Sequence, residues 1–443
     1  MEVDIEDCSL HRHALATSIC PIYRECGGCD LMGYSDDEQR LLRVGHLERK
    51  LGKLLDTQDS KVDIQYSNTR KQLKYRYRAK FHVQAVDDVV QLKVGFMQHN
   101  KRVVVDVKAC AVLSEELAEA YRQVYSFLGK YKPKSITGME ILVVPGGGEK
   151  NALMTLNPRS RVPDDWPQIG KLMLDECSSL RGVGIAVNKR SVDVRFVGEQ
   201  FLVGRTPEQY HEVAAALGGF MQGNLYGAET LIMHVMRLCG SSTKVLELHG
   251  GSGLLSHALA STGMTVRSIE IIDNAVQAAQ LLTKLPHGRL TIETGNAHTG
   301  ALRAAMQDVE VTLVDPPRSG LGVFCQHIRD CGSAKVIGVF CSIDACVRDL
   351  IVLSEAYTID EIIAVNLFPQ TQYVETVVLL SRKEERPAMD PAAADLLRVK
   401  QKAQRRSKRK AERRAMHEEK KQIKMERKRH QELQATSAKS MQE

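Results

Sequence analysis

KVLELHGGSG, residues 244–253, decides the fold. Its apolar run reads as a strand buried on both faces. Gly250, Gly251 and Gly253 follow as a turn that opens a helix and lets the backbone approach a ligand closely. VRSIE comes next and ends at Glu270, 23 residues beyond Glu247. A carboxylate at the end of the second strand of such a unit is spaced to bond both ribose hydroxyls of a nucleoside.

Downstream the same rhythm continues. Apolar strands are expected at 244–248, 265–270, 289–293, 309–315 and 334–341, with helical stretches between them. That alternation is the mark of a doubly wound, largely parallel sheet. The last two runs, 357–366 and 373–382, leave no room for a helix and are expected to pair as an antiparallel edge. Upstream, KYRYRAKFHVQAV, QLKVGFM and KRVVVDV alternate with period two. More strands are expected at MEILVV, ALMTL, VGIAVN and SVDVRFV, with helices near 113–129 and 167–178. Ser35 with Glu38 reads as a capping box, opening a helix with a leucine stripe. The expected class is α/β: a mixed α+β domain at 1–215, a Rossmann-like domain at 216–384, and a basic helical or disordered tail at 385–443.

The net charge of +7 over 443 residues is unevenly spread. From Arg398 onward there are 17 Lys and Arg against 6 Asp and Glu, leaving 44 against 48 in residues 1–397. Bulk attraction to a polyanion therefore belongs to the tail. No apolar run reaches the ~18 residues of a membrane span, and the acidic start MEVDIEDC, without an apolar core, is not expected to be a secretory leader. Eleven cysteines without a leader argue for a reducing, cytoplasmic setting with thiols used for metal or chemistry.

The glycine loop is not GxGxxG, and no phosphate-cradling lysine follows it. S-adenosylmethionine suits it better than a dinucleotide, because a sulfonium cation favours a neutral or acidic loop. Asn296, after the third strand, could bond the adenine edge or be only a turn residue. DPPRSG (315–320) sets Asp315 at a strand's carboxyl end, where open α/β sheets hold ligands. Arg318 stands where amine methylases often carry an aromatic residue. Cys341 also ends a strand at that edge. A thiolate there can add to C6 of a uracil, and a base is then needed to take the C5 proton. Glu375, in the final strand, is the candidate base. A helix start after Cys341 is expected to lower its pKa. Cys346 is a rival better suited to packing.

These residues resemble the uracil-5 RNA methyltransferases of the TrmA/RumA type, from about Cys20 to Arg382. DPPRSG, the Cys341 segment ending in VRDL, FPQTQYVET (368–376) and FMQGN (220–224) carry the resemblance. It implies Cys341 as nucleophile and Glu375 as base. Gln222, His249, Glu270, Asn296 and Asp315 fall on cofactor contacts. His249 replaces the usual Tyr or Phe, Glu247 the usual Asp and Leu254 an asparagine. The family's S-C-N-P reads F-C-S-I here, and an Asp before L-F-P is Asn366. Cys20, Cys26, Cys29 and Cys110 match the family's cluster ligands, which implies a [4Fe–4S] centre; spacing alone fits zinc equally. YRYRAKF (75–81) resembles a basic, aromatic strand facing RNA, or else alternates arginines on an exposed face.

The activity implied is 5-methyluridine formation in tRNA or rRNA by a monomer with no membrane contact. The alternative is an RNA-binding assembly factor that keeps the fold without catalysis. Many family members begin with a TRAM module. Only 19 residues precede Cys20 here, and the basic tail is expected to supply some of that phosphate contact.

Overall fold

The computed structural model describes residues 15–56, 61–86, 91–99, 101–133, 135–187, 193–282, 285–286, 288–295, 300–384, 388–390, 393–394 and 399–400. The tail beyond residue 400 and Asn296 lie outside them.

The first strand, β1 (Ile64–Ser67), belongs to a sheet completed only late in the chain. The next seven form a sheet of their own: β2 (Arg78–Val86), β3 (Gln91–Met97), β4 (Val104–Asp106), β5 (Ile136–Val143), β6 (Ala152–Pro158), β7 (Leu180–Ala186) and β8 (Val194–Gly198). Their order is β4-β3-β2-β5-β6-β7-β8, antiparallel except where β7 runs parallel to β6. The helix Trp166–Glu176 makes that parallel crossover. The helix Glu115–Tyr131 packs Leu117, Tyr121, Val124 and Leu128 against the sheet, and the Tyr121 ring stacks on Phe81 at 4.2 Å. A hairpin of β9 (Phe201–Arg205) and β10 (Glu212–Ala216) follows.

The second sheet gathers β11 (Lys244–Leu248), β12 (Thr265–Glu270), β13 (Leu290–Thr294), β14 (Val311–Val314), β15 (Lys335–Phe340), β16 (Tyr357–Val365) and β17 (Glu375–Arg382). Its order is β1-β16-β17-β15-β14-β11-β12-β13. β11 through β15 are parallel, as the alternation of elements dictates. β11 lies between β12 and β14, so strand order reverses there and opens a crevice at the carboxyl ends.

The last two strands do pair antiparallel, but they do not form the edge. β17 inserts between β16 and β15, antiparallel to both, and β1 covers the outer side of β16 in parallel, Ile64 opposite Ile362.

The helix Asp36–Leu55 accompanies β1. Its capping box is present: Ser35 N–H donates to Glu38 Oε2 (2.8 Å) and Glu38 N–H to Ser35 Oγ (3.3 Å). Leu47, Leu51 and Leu54 recur at helical spacing and enter the core of the second sheet. On the same stripe sits an arginine. Arg43 is 1% exposed. Its Nε and Nη2 donate to the Thr371 carbonyl (3.0 and 2.6 Å), Nη1 to Tyr66 Oη (3.0 Å) and Nη2 to Gln39 Oε1 (3.0 Å). A buried guanidinium is tolerated because its N–H groups find acceptors. Arg43→Met keeps the apolar contacts but strands those acceptors. It is expected to cost about 2–4 kcal/mol, read from urea unfolding midpoints. A loss below ~0.5 kcal/mol would mean solvent already serves them.

Candidate active site and cysteine cavity

The glycine turn is drawn onto β12. His249 and Gly250 N–H both donate to the Ile269 carbonyl (2.9 and 3.3 Å). A Cβ on Gly250 would lie 1.9 Å from Ser268 Oγ and 2.7 Å from Glu247 Oε2, so only glycine fits. Gly253 begins the helix Leu254–Ser261 at φ +82°, and His249 itself stands at φ +64°. Left-handed backbone at a side-chain-bearing residue is strained, and such strain collects at ligand sites.

Glu270 holds the turn in shape. Its Oε1 accepts from Ile271 and Ile272 N–H (2.8 and 2.9 Å), and its Oε2 from Gly251 N–H (3.0 Å). Oε1 is thereby filled, and Oε2 keeps one lone pair for a ligand hydroxyl. The expected pair of ribose contacts narrows to one unless the turn loosens.

Three carboxyls, Glu247, Asp315 and Glu375, lie along the carboxyl ends of the parallel strands, with Asp315 coupled to both of the others. Burial pushes Glu247 up to about 7, against hydrogen bonds from Ser268 and Ser256. Asp315 is pushed up to about 7 by burial and then by the charges of Glu247 and Glu270. Part of its surface still opens to the crevice, although the carboxyl sits deep. Glu375, 3% exposed, is pushed up to about 8 by burial and by Asp315, with Arg318 opposing. Carboxyls that burial holds largely protonated would ionise more readily beside a cation, so the site suits a cationic ligand.

Sheet register brings the thiol and the final carboxylate together. β15 and β17 pair with Val339 opposite Val377 and Phe340 opposite Thr376. Continuing one residue sets Cys341 opposite Glu375, and directly opposed residues of antiparallel neighbours share a face. Electrostatic coupling of Cys341 to Glu375, and then to Asp315, agrees with that proximity. The expectation of an acidified thiol fails. Burial pushes Cys341 up to about 11, and both carboxylates push the same way; Arg318 and the backbone only partly oppose them. Ser342 caps the following helix, its Oγ accepting from Ala345 N–H (3.4 Å), but the helix end does not outweigh burial. Cys346 is fully buried within that helix.

The loop before Glu375 is fastened from three directions. Leu31 N–H and Gln39 Nε2 donate to the Gln370 carbonyl (2.9 Å) and Oε1 (3.1 Å), Tyr75 Oη to the Pro369 carbonyl (2.9 Å), and Arg43 to Thr371. Gln370 stands at φ +68° under these restraints. Sequence reasoning missed Arg43 and Gln39; a lone arginine on a leucine stripe was their signal.

Gln222 lies half-buried in the segment between the two sheets. Gly223 O accepts from Tyr77 N–H (2.8 Å), and Asn224 Nδ2 donates to the Leu367 carbonyl (2.8 Å). YRYR is not an exposed face. Tyr75 and Tyr77 are buried, and Arg76 and Arg78 lie over the rings of Phe368 and Phe220. Arg78 Nε also sits 2.5 Å from Glu140 Oε1, without hydrogen-bond alignment. These arginines join the two sheets.

Cys20, Cys26, Cys29 and Cys110 line one cavity of about 70 Å³ together with Tyr75, Arg76 and Phe96. Gly27 N–H anchors the CxxC turn to the Met97 carbonyl (2.9 Å). Among the described residues no three Cys, His, Asp or Glu side chains close around a single ion. Four thiols lining one cavity are a donor set that an iron–sulfur cluster or a zinc ion could use.

No family model matches the chain. It is similar to the 23S rRNA (uracil(1939)-C(5))-methyltransferase of Dichelobacter nodosus, 27% identical over 82% of this chain and 84% of that one. It is also similar to an uncharacterized RNA methyltransferase of Listeria monocytogenes, 26% identical over 83% and 84%. Among solved structures, the tRNA (uracil-54, C5)-methyltransferase of Pyrococcus abyssi in complex with S-adenosyl-L-homocysteine superposes with a TM-score of 0.60. That match is 22% identical and covers 80% of this chain and 86% of that one. The fold is that of the S-adenosylmethionine-dependent methyltransferases, with an α+β region ahead of it.

Proposed function

We propose that this chain is an S-adenosylmethionine-dependent RNA methyltransferase that makes 5-methyluridine in tRNA or rRNA through a covalent bond between Cys341 and the pyrimidine. The observation that carries this reading is the β15–β17 register, which sets a thiol opposite a buried carboxylate at the crevice. A relative that matches over 82% of the chain and is named for acting on uracil C5 supports it.

Gly250, Gly251 and Glu270 bind the nucleoside, with His249 and Asp315 beside them; Gln222 and Asn296 join them by resemblance alone. When bound, S-adenosylmethionine supplies an electrophilic methyl on a sulfonium cation. Burial, with neighbouring carboxylates adding to it, holds Cys341 and Glu375 protonated in the ligand-free chain, and a cation bound beside them would favour loss of those protons. Cys341 then loses its proton to solvent, and its sulfur bonds C6 of a uridine flipped out of its stack. Electrons displaced from the C5–C6 double bond make C5 nucleophilic, and C5 takes the methyl. Glu375 removes the C5 proton, the double bond re-forms, and the thiolate leaves. Glu375 would then pass that proton to solvent before the next turnover. A covalent complex with 5-fluorouridine RNA tests this reading. An assembly factor without catalysis would form none.

From the family resemblance, and because the four thiols line one cavity, we propose a [4Fe–4S] cluster held by Cys20, Cys26, Cys29 and Cys110. Protein purified without oxygen is expected to carry about four iron and four sulfide per chain. One zinc and no sulfide would replace the cluster with a zinc site.

A further inference from the structure

The mechanism uses one nucleotide, yet the crevice around Cys341 is larger than one base requires. A cavity of about 430 Å³ opens beside the thiol. One wall is the strand-end chemistry: Arg318, Cys341, Ser342 and Tyr373. The opposite wall is the helix Asp36–Leu55, which sequence reading treated as packing only. Leu42, His46 and Arg49 line the cavity from that helix. They stand four and then three residues apart, and so share one helical face.

Arg43 on the neighbouring stripe is consumed by the Thr371 carbonyl. His46 and Arg49 are exposed, and among the described residues no carboxylate pairs with Arg49. The one carboxylate in the lining, Asp344, is engaged by Lys50 Nζ at 2.8 Å. Facing the helix, the Arg318 guanidinium lies 5.3 Å from the centre of the Tyr373 ring, which is 48% exposed.

We infer that this cavity is a subsite for the RNA residue next to the target uridine, with Arg49, His46 and Arg318 on its phosphate and Tyr373 beneath its base. The inference rests on the reading of the site as an RNA uracil methyltransferase. Cations on two facing elements suit a phosphodiester threaded between them. A half-exposed aromatic ring with a guanidinium suits a stacked, unpaired base. Both walls are held by Arg43 and the loop fastenings, so the subsite is formed before RNA arrives.

The test uses the full chain and a labelled oligouridylate of about 15 nucleotides, with binding followed by anisotropy across a salt series. Arg49→Gln should bind about five- to tenfold more weakly near 0.1 M salt, and its log–log salt slope should fall by about 0.7. Arg49→Lys, which keeps the charge, should recover most of that slope. Arg49 is exposed, so an unchanged thermal midpoint is the folding control. Wild-type affinity and slope in Arg49→Gln would overturn the subsite, as would failure of the wild type to bind the oligonucleotide. A wild type that binds with the Arg49 dependence, yet forms no adduct with 5-fluorouridine RNA, would overturn the chemistry and leave the subsite standing.

Discussion

Replacing Cys341 with alanine is expected to abolish the covalent complex with 5-fluorouridine RNA and to lower methyl transfer by more than about 10³-fold. Fluorine at C5 cannot leave as a proton, so the wild type should stop with sulfur bonded to C6 and resist denaturing electrophoresis. Sulfur is a soft nucleophile matched to that carbon. A serine hydroxyl at the same position would be far too weak a nucleophile, so Cys341→Ser is expected to be equally inert. Cys346→Ala, which removes a buried packing group, should still form the complex. An adduct mapped by mass spectrometry to another cysteine would remove Cys341 from the mechanism.

Glu375→Gln should give the opposite phenotype. The amide keeps the shape but cannot accept the C5 proton, so methylation proceeds and release stalls. Ordinary uridine RNA should then accumulate as a methylated covalent complex, with turnover down about 10²–10⁴-fold. A variant that releases product at the wild-type rate would show that another base serves.

The same substitution has a pH signature. In the ligand-free protein Glu375 is pushed up to about 8, above the ordinary carboxylate value. A carboxyl raised on folding favours the folded state while protonated, and that contribution is lost as pH climbs through the folded value. Wild-type stability should therefore fall between about pH 5 and pH 9 more steeply than that of Glu375→Gln. Melts of the two proteins across this range should diverge toward alkaline pH. Parallel curves would mean the carboxyl is not held neutral.

The parallel strands and the glycine turn were legible in the sequence because each carries a local signal: an apolar run, a cluster of glycines, a carboxylate at fixed spacing. Thiol and carboxylate could be nominated from their neighbours. Their meeting could not, since it depends on β17 inserting between β15 and β16, a long-range choice no local pattern encodes. β1 was missed for the same reason: four residues, IQYS, with no strong alternation. β9 and β10 were missed because FLVGR and the alanine-rich EVAAA signal strand weakly. The thiol's acidity was misjudged because a helix end is visible in sequence, while burial beside two carboxylates is not. YRYR was misread because period two reports alternation without saying which face is covered.

β1 and the helix beside it come from the front of the chain and finish a sheet whose other strands come from the back. The catalytic half is therefore not a portable module. A fragment starting near residue 216 would expose the backbone of β16 to solvent or to another chain. It would also lose Arg43 from Thr371 and the wall that carries Arg49. During synthesis β1 has no β16 to pair with until the last strands emerge.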